Sequence, residues 1–188
     1  MKKIVFSIFM MVAMVMTFTM CTKSGQENSG SASENVKDPS IPTVMRLTDV
    51  PESTNMALND FAQVLADSAR EIEDYIRSKE YPVTVVTVDG IGGDVPLDFA
   101  KKVGEKWGVG DKEKQDGVVI LVKPKTEKSQ GQLAIATGVG VQRILPYPIC
   151  QAIINKKMTP CLQAGDYCGA VKAALDEIYE RLDKAQAK

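Results

Sequence analysis

The chain has 188 residues, a quarter of them charged, with 23 basic against 24 acidic side chains and no histidine. That balance, with no basic stripe, argues against nucleic acid as a partner. The missing histidines and the absence of any paired C-x-x-C spacing among the four cysteines remove the usual zinc sites.

Lys2 and Lys3 precede a charge-free run, Ile4 to Met20, that ends at Cys21. This is the layout of an export signal, so residues 1–20 are expected to be a signal peptide of lipoprotein type, with Cys21 acylated. A lipid anchor at Cys21 would place the protein in the bacterial cell envelope. Thr22, where an aspartate would favour inner-membrane retention, points to the outer membrane, on its periplasmic or surface face. Phe18 and Met20 stand where a leucine-like and a small residue are usual. The alternative is an uncleaved anchor helix, and seventeen residues fall at the short end of what crosses ~30 Å of hydrocarbon.

Residues 21–45 are rich in Ser, Gly, Asn, Glu and Lys, too polar to bury enough surface to offset chain ordering, and read as a flexible tether. Without the signal, 21 basic residues face 24 acidic ones. Residues 46–184 are enough for one domain with its own core.

From about Thr54 to Lys79, apolar Phe61, Val64, Leu65, Ala69, Ile72 and Ile76 recur at three and four, which predicts one long amphipathic helix. Pro82 introduces Val83–Val88, a β-branched run that reads as a strand buried on both faces. Asp94 and Pro96 start a second helix, with Leu97, Ala100, Val103 and Trp107 inward and Gly108 as its C-cap. Val118–Val122 is a second buried strand, and the polar turn Lys123–Gln130 leads to a third, Gln132–Thr137, the second arm of a hairpin. A helix behind Pro146 and Pro148 is expected to stop near Pro160. Asp166 caps a last helix with Ala174, Leu175, Ile178 and Leu182 inward. A fourth strand from Thr43–Leu47 is a further expectation.

A right-handed crossover makes the first two strands parallel and the hairpin makes the third antiparallel. The expected class is α/β, a three-layer α-β-α sandwich with a small mixed β-sheet flanked by helices. That topology gathers Asp111, Asp116, Gly138, Gly140, Gln142 and Arg143 on one rim of the sheet. The opposite rim holds Asp89 to Asp94 and is the alternative site.

Each motif has two readings. Gly90-Ile-Gly-Gly93 and Gly138-Val-Gly140 resemble the start of a dinucleotide fingerprint, but Val95 and Arg143 stand where the third glycine belongs, so no dinucleotide is expected. Asp116 is either a turn residue or a ligand, Asp166 a helix cap before a ligand, and Trp107 a core residue before a contact. Cys161 and Cys168 are near enough in sequence to bridge. The other reading of Cys150, Cys161 and Cys168 is three small apolar residues.

The order Trp107-Gly-Val-Gly110, Asp116-Gly117, Gly138-Val-Gly140 and Gly165-Asp-Tyr167 resembles the TPM-domain family, which includes secreted bacterial and thylakoid acid phosphatase-like proteins. The resemblance covers about Glu71 to Tyr179. It implies the α/β fold above, and in some relatives divalent-ion binding and acid phosphatase activity. The family turn after the third strand carries a glutamate and then an aspartate, whereas Gln142 and Tyr147 stand here. The resemblance therefore implies a weakened Ca²⁺ or Mg²⁺ site built from Asp116, Asp111 and Gln142, within a binding rim of Gly138, Gly140, Arg143 and Tyr147.

A calcium site rewards carboxylate charge, and a phosphatase needs a nucleophile or metal-activated water with positive groups around the phosphoryl. The chain has no cysteine followed six residues later by arginine and no D-x-D. The reading that follows is a non-catalytic, membrane-tethered envelope domain that binds a protein partner or supports membrane-protein maintenance. Its alternatives are a metal-dependent acid phosphatase and a tethered ligand-binding module using the rim at Asp89 and Asp94.

Overall fold

The computed structural model describes residues 49–187. The signal, Cys21, the tether and the strand expected at Thr43–Leu47 lie outside the described residues. Four strands form one sheet in the order β1-β2-β3-β4: β1 Leu58–Asp60, β2 Val83–Thr87, β3 Val118–Lys123 and β4 Gln132–Thr137. β1 and β2 are parallel, β2 and β3 are parallel, and β3 and β4 form the expected antiparallel hairpin, with Val118 opposite Thr137.

Helices cover both faces. Side chains alternate across a strand, and here Val85, Ile120 and Ile135 turn to a core shared with α1 (Ala69–Arg77), α3 (Tyr147–Ile153) and α5 (Tyr167–Gln186). Val86, Val119 and Leu121 turn to the other face, where α2 (Pro96–Trp107) supplies Phe99, Ala100 and Val103. Burying each such aliphatic side chain contributes roughly 1.5–3 kcal/mol, so β2 and β3, apolar on both faces, have nowhere else to go. The expected three-layer α/β sandwich is what forms.

Two elements depart from the sequence reading. The predicted helix from Thr54 begins only at Ala69. Leu58–Asp60 instead pairs with Val85–Thr87 as the edge strand β1. The Asp60 carboxylate then accepts the backbone N–H groups of Val64 (3.1 Å) and Leu65 (2.8 Å), and a hydrogen bond from the Thr87 hydroxyl, which holds the chain in a turn rather than a helix. The other side of β1 is closed by Glu73 of α1, whose buried carboxylate accepts Leu58 N–H at 2.6 Å and Ala57 N–H at 3.2 Å and pairs with Arg77. This covers an edge that would otherwise be open to pairing.

The second departure is at Pro160, where the helix does not end. α3 runs into a π-helical turn, Ile154–Met158, and continues as α4, Thr159–Gln163. A proline ring clashes with the carbonyl one α-helical turn back. The wider turn offers a different route: the Thr159 hydroxyl donates to Ile154 O, five residues back, at 2.9 Å. Gly165, at φ +80°, then turns the chain into α5, whose N-cap Asp166 accepts Gly169 N–H at 2.7 Å as expected. Asp94 is not the α2 cap. Val95 holds that position, and Asp94 accepts instead from Lys102 Nζ at 2.7 Å.

Candidate functional site

The loop between α2 and β3 and the turn leaving β4 meet at one end of the sheet. The loop begins at Gly108, in the left-handed conformation that α2 needs to stop (φ +64°). The Trp107 indole N–H donates to Pro51 O at 2.8 Å and its ring stands edge-on to Phe61, so Trp107 is a packing residue. Gln115 closes the loop at φ +49°, with its N–H bonded to Asp111 O at 2.7 Å.

The glycines of this rim bring backbone against backbone, not backbone against ligand. Gly138 N–H donates to Gly117 O at 2.8 Å and Gly140 N–H to Gln115 O at 3.0 Å. A Cβ on Gly117 would stand 2.0 Å from Val109 O, one on Gly138 2.0 Å from Gln115 O, and one on Gly140 2.0 Å from Lys114 O. The family resemblance implied a binding rim that includes Gly138 and Gly140. The protein's own loop takes up that space.

The two carboxylates serve the same loop. Asp116 Oδ1 accepts Asp111 N–H at 2.9 Å, and Asp111 Oδ1 accepts the N–H groups of Glu113 and Lys114, both at 2.9 Å. Those bonds, Lys114 first and Glu113 second, hold the Asp111 carboxyl below its usual range. Gln142, which is exposed, turns its amide nitrogen to Thr137 O at 3.5 Å. The rim gathers Asp111, Asp116, Gly138, Gly140 and Gln142, with exposed Arg143 beyond the short 3₁₀ turn Val139–Val141 and Tyr147 opening α3, 59% exposed.

As a cation site this donor set is too small. A calcium ion takes six to eight oxygens, and Asp111 and Asp116 each keep one oxygen outside the loop's own bonds. Among the described residues, no three acidic, cysteine or histidine side chains are placed to hold a metal together. Asp111 and Asp116 do not by themselves make a calcium cage.

What the rim does have is a groove of about 450 Å³ between α2 and the end of β4. It is lined where α2 lies close to the sheet, by buried Ala100, by Gly104, whose added Cβ would stand 3.3 Å from Val119 Cγ2, and by the C-cap Gly108, with Ala136 and Gly138 on the other side. Val139, 66% exposed, forms an apolar lip. The sequence reading missed Val139 and the trough, although three small residues four apart on one helix face were a signal for it.

On the opposite rim, Asp94 is engaged by Lys102 and Asp89 is exposed. The Lys123 ammonium is buried in the hairpin turn, donating to Gln130 O at 2.8 Å and to the Ser129 hydroxyl. Cys150, Cys161 and Cys168 are free thiols. Cys150 lies buried against Leu145 O, and burial pushes its thiol up to about 11.

A mixed sheet entered by parallel crossovers and closed by one antiparallel hairpin, with a glycine-locked loop at the hairpin's base, defines an α/β sandwich of one topology. The TPM domain matches residues 58–181. The chain belongs to the TPM-domain family. The solution NMR structure of the N-terminal domain of a protein from P. gingivalis superposes with a TM-score of 0.57 at 24% identity, over 69% of this chain and 83% of that one, and so shares the fold. No curated protein matches the chain.

Proposed function

We propose that this protein is a non-catalytic module of the bacterial envelope, tethered through a lipid on Cys21, which binds a protein partner through the rim at Gly138–Gln142 or supports the upkeep of membrane proteins. The observation that carries this reading is the rim's chemistry: both carboxylates hold their own loop's N–H groups, while an apolar-floored groove with an exposed valine stands open beside them. A groove of this size, with apolar surface between a rim of polar groups, is a common form of a binding site. Phosphoryl transfer would need a nucleophile or activated water, and a cluster of positive charge, at the same place. Divalent-ion affinity is expected to be weak at best.

Two measurements test this. Purified protein given p-nitrophenyl phosphate, with and without calcium or magnesium, should show no turnover above buffer, and metal-stimulated turnover would replace this reading with the phosphatase. The intact mass of protein taken from membranes should match a chain that begins at an acylated Cys21. An unmodified chain from Met1 would leave the anchor-helix reading.

A further inference from the structure

We propose that the corner between Tyr75 on α1 and Tyr179 on α5 is a binding site for a quaternary ammonium group, filled in the free protein by the chain's own Lys79. It shares no residue with the rim at Gly138–Gln142.

Tyr75 and Lys79 are four residues apart across the C-terminal end of α1, so they meet on one side of it. The Lys79 ammonium stands 5.5 Å from the centroid of the Tyr75 ring and 5.5 Å from that of Tyr179. Those two rings are 5.8 Å apart at 89°, and Tyr81 lies 6.3 Å from Tyr179, tilted by 32°. An ammonium on two perpendicular aromatic rings is the arrangement that recognises quaternary ammonium ligands. Tyr179 is buried, and its hydroxyl has no hydrogen-bond partner, so one donor at this site is unused.

The chemistry of the occupant follows from what the corner offers. Ring faces attract positive charge but accept N–H groups poorly, and among the described residues Lys79 makes no ion pair. A trimethylammonium group has no N–H to satisfy and fits such a surface better than a lysine does. Exposed carboxylates add to the selection for a cation: Asp176 accepts the Tyr75 hydroxyl at 2.7 Å, and the charge of Asp183 reaches both Tyr75 and Tyr81. Lys79 is only half-buried. Holding a lysine side chain costs much rotamer freedom and a partly exposed ring contact returns little, so Lys79 gives way at small cost.

The test is titration of the full chain in non-ionic detergent, at constant ionic strength, followed by amide NMR. The probes are choline, its uncharged isostere dimethylbutanol, and a peptide carrying trimethyl-lysine. Choline should shift residues 75–81 and 176–183, and dimethylbutanol should not. Binding should tighten about fivefold in Lys79→Ala, which removes the internal competitor. Adding Tyr75→Phe, which keeps the ring, should retain that binding, and adding Tyr75→Leu should abolish it. A stronger response to the peptide would assign the site to a protein side chain, and a stronger response to choline to a small solute; either supports it. No shift in the parent or in Lys79→Ala, an equal response to dimethylbutanol, or equal affinity with and without Lys79 would each overturn the proposal. Those readouts stand even if Tyr75→Leu fails to fold.

Discussion

The two rims of the sheet carry similar glycine signatures and are held in opposite ways. At Gly138-Val-Gly140 the glycines are required by contact, because carbonyls of the facing loop occupy the space a side chain would need. At Gly92-Gly93 they are required by conformation: φ is +60° and +91°, and a Cβ on Gly93 would meet nothing within 4 Å. The first rim is a lock between two loops and the second a free turn. A G-x-G spacing alone does not distinguish them.

Alanine at each site gives the largest expected effect. Gly138→Ala must push Gln115 O aside, and Gln115 already sits in the left-handed region, so the loop has little room to yield. A loss of about 3 kcal/mol or more is expected. Gly93→Ala meets only the backbone penalty of its φ, about 1–2 kcal/mol. Chemical denaturation of the two variants measures the gap, and equal losses would mean that the loop-on-loop lock is not what the first rim depends on.

Carboxylates follow the same division. Asp60, at the end of β1, gathers Val64 N–H, Leu65 N–H and the Thr87 hydroxyl at a partly buried site. Asp60→Ala would leave those donors unsatisfied and should cost about 2–3 kcal/mol. Increased amide exchange at residues 61–68 should accompany that loss. If exchange there is unchanged, Asp60 does not organise this turn.

This position also explains what the sequence did and did not disclose. The hairpin, α2, α5 and both buried strands were legible because long β-branched runs and a Gly108 C-cap leave few alternatives. The segment Phe61–Leu65 was not, since its apolar spacing fits a helix and a three-residue strand is too short to show alternation. Its fate is decided by Asp60 and by pairing with Val85–Thr87, contacts 25 or so residues away in sequence. Pro160 misled for a similar reason, because a π turn upstream is not written in composition. At the site, the residues gathered on the rim were foreseen from topology, but the close approach of its glycines to the carbonyls of the facing loop was not. Whether a glycine faces a ligand or a carbonyl depends on a loop's path.

Alkali should lower the stability of the fold through Cys150, buried on α3 against Leu145 O. In the fold its thiol keeps its proton to about 11 against an ordinary 9.0, because burial disfavours the thiolate. Between those values the unfolded chain has lost a proton that the native one retains. The native state then binds more protons, so stability falls as pH rises across that window, by on the order of 2 kcal/mol. Melting between pH 8 and 11 in the parent and in Cys150→Ala measures this. The variant, less stable at neutral pH, should lose less on going to high pH, and parallel curves would exclude the thiol as the cause.

The smallest effect should come from Asp116→Asn, and it bears most directly on what the first rim is for. Asp116 accepts one N–H, that of Asp111, through Oδ1, and an asparagine carbonyl can accept the same bond at the same place. The change therefore tests the charge and leaves the clamp. If Asp116 is a loop residue, stability should shift by less than about 1 kcal/mol and any response to calcium should be as small as in the parent. A cation site would behave differently: removing one of two carboxylates would abolish a calcium-dependent rise in melting temperature and, by relieving repulsion from Asp111, would raise stability without metal. The two rims would then differ in chemistry as well as in packing, and the glycine lock would be the frame of a metal site rather than the floor of a groove.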